Sequence, residues 1–360
     1  MDTEYINNRN KTKKIFNESL TKKTLIKTVI SVGIITIVCN GLGFIYLMKK
    51  VKDHAIKNVR IYTEVVVKKE SQIFLDSQKN NQNMKTFITQ ELGVNSVQDI
   101  EKFNKILVRR KDGTIRNLQP FDDQNTPGVF LGKNVLINDE MKERVIDFFH
   151  IVKSFGRAWE NHFVNTYIQI PENGIVIYMP NYPWTEKATS DKIVTTDESF
   201  QITTKKNNPS RKTVWTSIYY DATLEDWMVS SVTPIDDTKG NHIGTIGHDI
   251  LISELQKSTL EEKINGTENV IFDRNGRFIV HPDLMEEIKQ SDGNITIDDM
   301  IKKTGNKTYD WSVFFELMKS IDLEAPITEG ALLHSEKNQE YYVVSQIDGA
   351  DWYWVTIVPQ

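Results

Sequence analysis

The sequence predicts an α+β protein: an N-terminal transmembrane helix, a long stalk helix, and two tandem lobes built on antiparallel sheets. Three observations carry this. Residues 29–48 form a 20-residue run without a charge. From Val51 to about Leu92 there is neither Pro nor Gly, and apolar positions recur at helical spacing. Beyond that, two successive blocks repeat a hairpin turn, helices and consecutive strands.

Composition bounds the reading. The chain has 360 residues, 39% of them hydrophobic, which is room for two domains with real cores. Charged residues make up 26% and Gly plus Pro 28 positions, excluding collagen-like, low-complexity and wholly disordered chains. One Cys rules out a disulfide framework. Residues 1–60 carry 12 Lys/Arg against 4 Asp/Glu, and residues 61–360 carry 32 against 45. An acidic bulk of this kind argues against a nucleic-acid partner, which requires a surplus of cations.

The run 29–48 would span roughly 30 Å as a helix, the thickness of a bilayer's hydrocarbon core. A cleaved signal peptide would have a shorter apolar core and a small-residue cleavage site, and none follows Cys39. Lysines flank the run on both sides, so charge alone orients it weakly. The bulk lies after a single span, and large domains translocate largely regardless of charge. The expectation is therefore a single-pass protein of a bacterial inner (plasma) membrane, N-terminus cytoplasmic and bulk outside. Residues 1–24 are then a cytoplasmic tail, 25–48 the transmembrane helix and 49–92 the stalk. Ala55, Val59, Tyr62, Val65, Val66, Ile73, Phe74, Met84, Phe87 and Ile88 give that stalk an apolar stripe. Such a stripe suits a second copy of the chain, so a homodimer through the stalk is expected.

The distal lobe is expected over 93–262. Lys111-Asp112-Gly113 reads as a hairpin turn between 106–108 and 114–115. A helix is expected over 139–159, strands over 163–170 and 174–179, three more over 213–220, 226–234 and 242–250, and a closing helix over 252–262. The proximal lobe, 263–360, repeats the plan. Strands at 270–273 and 277–280 flank Arg274-Asn275-Gly276. Helical stretches follow near 298–303 and 311–319, then strands near 330–335, 340–347 and 352–358. The repetition argues for two domains of one type.

The order of these pieces, with the string from Asn208 through Arg211, Trp215 and Tyr219 to Asp221, then Trp227-Met228-Val229-Ser230, Gly247-His248-Asp249 and His281-Pro282-Asp283, resembles the double Cache (dCache) extracytoplasmic sensor domain of bacterial transmembrane receptors. The likeness covers roughly residues 51–360. It implies two PAS-like lobes on a stalk helix, with a small ligand held in the membrane-distal one. It also implies an output of the diguanylate cyclase, histidine kinase or chemoreceptor type, which would follow a second span. The chain ends at Gln360 without either, so it reads as a signal-input module truncated before its output.

Candidate ligand residues follow from side-chain chemistry. Tyr219 and Asp221, two apart, face the same side of a strand. With Asp249 they offer aromatic faces and carboxylates to an ammonium group. Arg211 suits a ligand carboxylate, and Trp215 lies beside it in sequence. Trp184 and Tyr178 are candidates for the pocket mouth. An amino acid, an amine or a similar polar metabolite fits such a set. Each residue has a plainer reading as well: strand-face aromatics, a turn Asp at 221, a helix cap at 249, a loop charge at 211, and a proline-bounded loop around Trp184. The implied motif also places its Arg and Trp at a different spacing from Arg211 and Trp215.

No cofactor, metal or catalytic site is indicated. The seven His residues form no His-Glu-x-x-His pair, and no Gly-x-Ser-x-Gly elbow or phosphate loop is present. A ligand-binding or scaffold protein acting through a separate membrane partner is the alternative to a sensor. An exported enzyme is a third reading, with no nucleophile–base constellation to support it.

Overall fold

A computed structural model of the protein describes residues 3–91, 98–133, 135–221, 224–303 and 330–359. The chain divides into two compact units, Met1–Ile61 and Tyr62–Gln360. Helix α1 (Thr3–Glu91) is continuous, so the expected tail, span and stalk are one helix by backbone geometry. It is long and apolar enough to cross a membrane, its best 18-residue window having a mean hydropathy of 2.1 with nothing buried. Side chains from 29 to 48 are all exposed. Thr28 and Thr36 donate back to carbonyls four residues earlier at 3.0 and 2.8 Å, which satisfies their hydroxyls within the helix as a bilayer requires.

The second unit has the expected α+β architecture, with two antiparallel sheets. Helix α2 (Gln98–Ile106) leads into β1 (Leu107–Arg109) and β2 (Ile115–Asn117), joined by the Asp112-Gly113 turn. Gly113 sits at φ +88°, a conformation costly for any other residue. Then come β3 (Gly128–Leu131), α3 (Asp139–Trp159), β4 (Thr166–Ile170) and β5 (Gly174–Tyr178). Asn138 caps α3 by accepting from Met141 N at 2.8 Å. Two short helices, α4 (Trp184–Lys187) and α5 (Glu198–Gln201), lie on either side of a 3₁₀ turn (Val194–Thr196). Strands β6 (Val214–Trp215), β7 (Tyr219–Asp221), β8 (Asp226–Asp236) and β9 (His242–Leu251) complete a nine-stranded sheet in the order β1-β2-β3-β5-β4-β9-β8-β6, with β7 also on β8.

Helix α6 (Ile252–Glu261) leads to the second sheet, ordered β11-β10-β14-β13-β12. Its strands are β10 (Glu268–Asp273), β11 (Phe278–Val280), β12 (Ala331–Ser335), β13 (Glu340–Ile347) and β14 (Trp352–Pro359), with α7 (Met285–Gln290) and α8 (Ile297–Lys303) between β11 and β12. The expected helix at 311–319 lies outside the described residues.

Two differences from the sequence reading matter. The stretch 213–220 is not one strand. At Ser217 the chain leaves β8, and its N–H and hydroxyl bond Glu198 Oε1 at 3.0 Å. Ile218 is buried in the core cluster that also holds Phe272 and Trp352 of the second lobe. Much of the stalk stripe also packs inside the chain. Val66, Val67 and Phe74 enter that same core, and Met84 and Ile88 pack with α3 residues against the first sheet. Val65 and Phe87 of the same stripe remain exposed, at 64% and 41%.

Candidate functional site

Strand alternation gives the first sheet two unlike faces. Val176 and Ile168 point to the α3 side, while Ile175, Ile177 and Tyr167 face a separate small cluster with Phe130 and Val232. That second face floors a cavity of about 370 Å³. This volume lies in the range of roughly 300–1,000 Å³ typical of small-molecule sites. Strands β4 and β5 supply Tyr167, Gln169 and Ile177 to its wall, with Asn165 just before β4 and Met179 just after β5. Strands β7 and β9 supply Tyr219, Asp221 and Asp249, and the segment 184–199 supplies Trp184, Lys192 and Asp197.

Asp249 is the chemical centre. It is 6% exposed. Asn165 Nδ2 donates to its Oδ2 and Ser230 Oγ to its Oδ1, both at 2.6 Å. Asn165 Oδ1 in turn accepts from the Asp249 N–H at 3.2 Å. Burial pushes the carboxyl up to about 6, opposed by the Asn165 and Ser230 hydrogen bonds and reinforced by the charge of Asp221. The Tyr219 hydroxyl lies 2.9 Å from Ser230 Oγ. Burial, then the Asp249 charge, hold the Tyr167 and Tyr219 hydroxyls well above the ordinary tyrosine range. Tyr167 crosses β9 at Gly247, where any Cβ would collide with its ring. Gly247 is thus a packing requirement of the cavity wall.

The segment 184–199 is fixed by buried polar contacts, since its helical turns are too short to be stable alone. Arg116 donates to the carbonyls of Thr185 and Ala188, the latter at 2.7 Å, and its guanidinium lies 5.0 Å from the Phe130 ring centroid. Trp184 meets Phe130 edge-on at 6.2 Å. Asn173 accepts from Val194 N at 2.7 Å and donates to Lys192 O at 3.2 Å. It lies over Gly132, where a Cβ would strike its amide. Lys192 Nζ then reaches Asp197 Oδ1 at 2.6 Å.

Four of the sequence candidates meet at this cavity: Trp184, Tyr219, Asp221 and Asp249. Asp221 also serves its turn, accepting from Leu224 N at 2.9 Å. Asp249 does not cap α6, whose N-cap is Leu251. The other three lie elsewhere. Arg211 is neither a solvated loop charge nor a cavity residue: its Nε and Nη2 bind Asp236 at 2.7 and 2.6 Å, and Nη1 binds Thr203 O. Trp215 pairs with Ser231 on the opposite face of β8. There its Nε1 donates to Gly349 O at 2.6 Å and its ring meets Phe74 edge-on. Tyr178 faces α3, pressed on Gly156, with its hydroxyl donating to Gln124 O and Glu160. Its parity on β5 is one off from the cavity-lining Ile177 and Met179.

Sequence reasoning missed Asn165, Tyr167, Gln169, Lys192 and Asp197. The first three do carry a signal, since Asn165-x-Tyr167-x-Gln169 alternates polar-capable residues within an apolar strand. Lys192 and Asp197 carry none, because contacts remote in sequence place them.

Residues 151–257 match the family model described as "Methyl-accepting chemotaxis protein-like, first PDC sensor domain". That stretch runs from α3 into α6 and contains every cavity residue named above. Over those residues the chain matches a PDC sensor domain, in agreement with the dCache resemblance seen in the sequence. No curated protein matches the sequence. Among solved structures, the chain is similar to the ligand-binding domain of the Pseudomonas aeruginosa PAO1 amino acid chemoreceptor PctB in complex with L-Gln. There the identity is 14%, covering 59% of this chain and 73% of that one, with a TM-score of 0.39. For the Pseudomonas fluorescens chemoreceptor CtaA in complex with L-isoleucine the values are 12%, 86%, 95% and 0.42. For a structure named Methyl-accepting Chemotaxis protein X they are 12%, 86%, 100% and 0.48.

Proposed function

We propose that this chain is the membrane-anchored input module of a bacterial transmembrane receptor, and that its first lobe binds a small metabolite bearing a primary ammonium group, an amino acid or an amine. One observation carries the ligand chemistry: a buried carboxylate, Asp249, held by Asn165 and Ser230 in the wall of a cavity also lined by Tyr167, Tyr219 and Trp184. A buried anion is costly unless an opposite charge completes it. Aromatic faces beside it favour a cation over any neutral ligand of the same size. The apolar run 29–48 supports anchoring in the plasma membrane, with the N-terminus cytoplasmic and the lobes outside. The family match over residues 151–257 supports the chemoreceptor type among the three outputs that the resemblance implied. Catalysis is not part of this reading. Among the described residues, no group of three or more His, Cys, Asp or Glu side chains is arranged to hold a metal.

The test is calorimetric titration of the full chain in lipid nanodiscs with a panel of amino acids and amines. At least one should bind. Asp249→Ala and Tyr219→Ala should each lose it, Asp249→Ala by 30-fold or more, since removing one partner of a buried charge pair costs about 2–5 kcal/mol. A folded Asp249→Ala variant that binds as well as the parent would move the site elsewhere.

A further inference from the structure

We infer that the cavity selects a cationic amine without a free carboxylate, discriminating against the corresponding α-amino acid; this rests on the proposed reading of the cavity as a small-molecule site. Four carboxylates line it, those of Asp197, Glu198, Asp221 and Asp249, against one cation, Lys192. That cation is already engaged, its Nζ 2.6 Å from Asp197 Oδ1. Its backbone is also pinned, because Asn173 holds Lys192 O at 3.2 Å.

The two arginines suited to clamp a ligand carboxylate are engaged as well. Arg211 forms its two-point contact with Asp236, at 2.7 and 2.6 Å. Arg116 turns its guanidinium to the carbonyls of Thr185 and Ala188. Two neutral donors of the wall also have partners. The Asn165 amide donates to Asp249 at 2.6 Å, and the Gln169 amide donates to Ser199 Oγ at 3.0 Å. An entering carboxylate would therefore meet a net negative wall with no unengaged cation among the described lining residues. Like charge juxtaposed in a partly dehydrated site is strongly unfavourable. An ammonium group meets the reverse, with one carboxylate in the wall, others around it, and three aromatic rings beside it. The charge balance accordingly separates two ligands that share an amine and differ only in the carboxylate.

Matched pairs isolate that difference: tyramine and tyrosine, histamine and histidine, cadaverine and lysine. Each is titrated by calorimetry into the full chain in nanodiscs at pH 7.5. In every pair that binds, the amine should bind at least tenfold tighter than its parent amino acid. Asp197→Asn frees Lys192 to meet a carboxylate, and should shrink that ratio by improving the amino acid. An amino acid binding as tightly as its amine, or tighter, overturns the inference and leaves the ammonium site standing. No binding by any member of any pair overturns both. An Asp197→Asn variant, folded by circular dichroism, with an unchanged ratio overturns the claim that Lys192 is withheld by its partner.

Discussion

Asp249 concentrates the chemistry of the first lobe, and its protonation ties binding to stability. Its folded carboxyl sits at about 6 against an ordinary 3.8, so the folded state holds the proton more tightly than the unfolded one. That contribution to stability is complete below pH 3.8 and is lost as pH rises through about 6. His248 and His281 work in the opposite sense: burial lowers both from 6.5 to about 4. Their contribution is present above pH 6.5 and lost as pH falls through about 4. Between these limits two histidines oppose one carboxylate. Asp249→Asn removes the opposition while keeping an acceptor for Asn165 or Ser230. It should stabilise the folded protein at pH 7.5 by up to about 3 kcal/mol in chemical denaturation and make acid destabilisation steeper. The same variant should lose amine binding, and in the parent the amine affinity should fall below pH 6 as Asp249 takes up its proton. A variant no more stable than the parent at pH 7.5 would show that the buried charge costs nothing. Asp249 and the Tyr219/Asp221 pair were legible in the sequence because strand parity is a local rule. Arg211 misled because it sits at φ +55° in a loop, where spacing says nothing about direction.

At the scale of elements, β8 and β9 form a ribbon whose two faces serve two purposes. Ser230 and Asp249, paired in register, face the cavity; Ser231 and His248, the next pair, face α1. Asn81 Nδ2 donates to Ser231 Oγ at 2.9 Å, and Asn80 Nδ2 lies 2.7 Å from His248 Nε2. The amide donates, so Nε2 accepts and the ring proton is on Nδ1, toward Thr166 Oγ1 at 3.1 Å and Asn165 O at 3.2 Å. A polar seam thus backs the cavity wall one residue away from it. Three of its buried atoms, Ser77 Oγ, Asn80 Oδ1 and Asn81 Oδ1, have no partner in this arrangement. Such groups cost stability, and they make a shift of α1 along the ribbon less costly than a fully satisfied seam would. Asn80→Ala should orphan His248 Nε2 and destabilise by about 1–3 kcal/mol. Ser77→Ala, which removes an unpartnered hydroxyl, should be neutral or stabilising in the same denaturation assay. Equal losses for the two would defeat this account of the seam. The strands and α3 could be read from the sequence because their periodicity repeats several times. The roof, α4 and α5, could not, because a four-residue helix completes barely one turn and owes its place to Arg116 and Asn173.

For the whole molecule beyond Ile61, the tandem plan was visible in the spacing of its turns, but the join between the lobes was not. One core cluster holds Phe163, Ile218 and Val229 of the first lobe together with Phe272, Trp352 and Trp354 of the second and Val66 and Phe74 of α1. Nothing in a run of apolar residues states which other run it will meet. The join has a polar counterpart at Gly349. Its carbonyl accepts from Gln78 Nε2 of α1 at 2.7 Å and from Trp215 Nε1 of the first lobe at 2.6 Å. Helix, first lobe and second lobe therefore share one acceptor. Gly349 adopts φ +86°, and a Cβ there would stand 2.9 Å from Leu75 N, so only glycine brings that carbonyl to both donors without strain. A shared core and a shared joint make the lobes one cooperative unit. Tryptophan fluorescence, with four of the seven tryptophans in the first lobe and three in the second, and far-ultraviolet dichroism of the strands should report one coincident denaturation transition for the lobes. Gly349→Ala should move both curves together, by more than about 1 kcal/mol, the scale of strain at a disallowed φ. Trp215→Phe removes the hydrogen bond and part of the packed ring, and should move both by about 1 kcal/mol or more. Curves that separate in the parent protein would mean the lobes unfold independently. The joint at Gly349 would then carry no coupling from the ligand lobe to its neighbour.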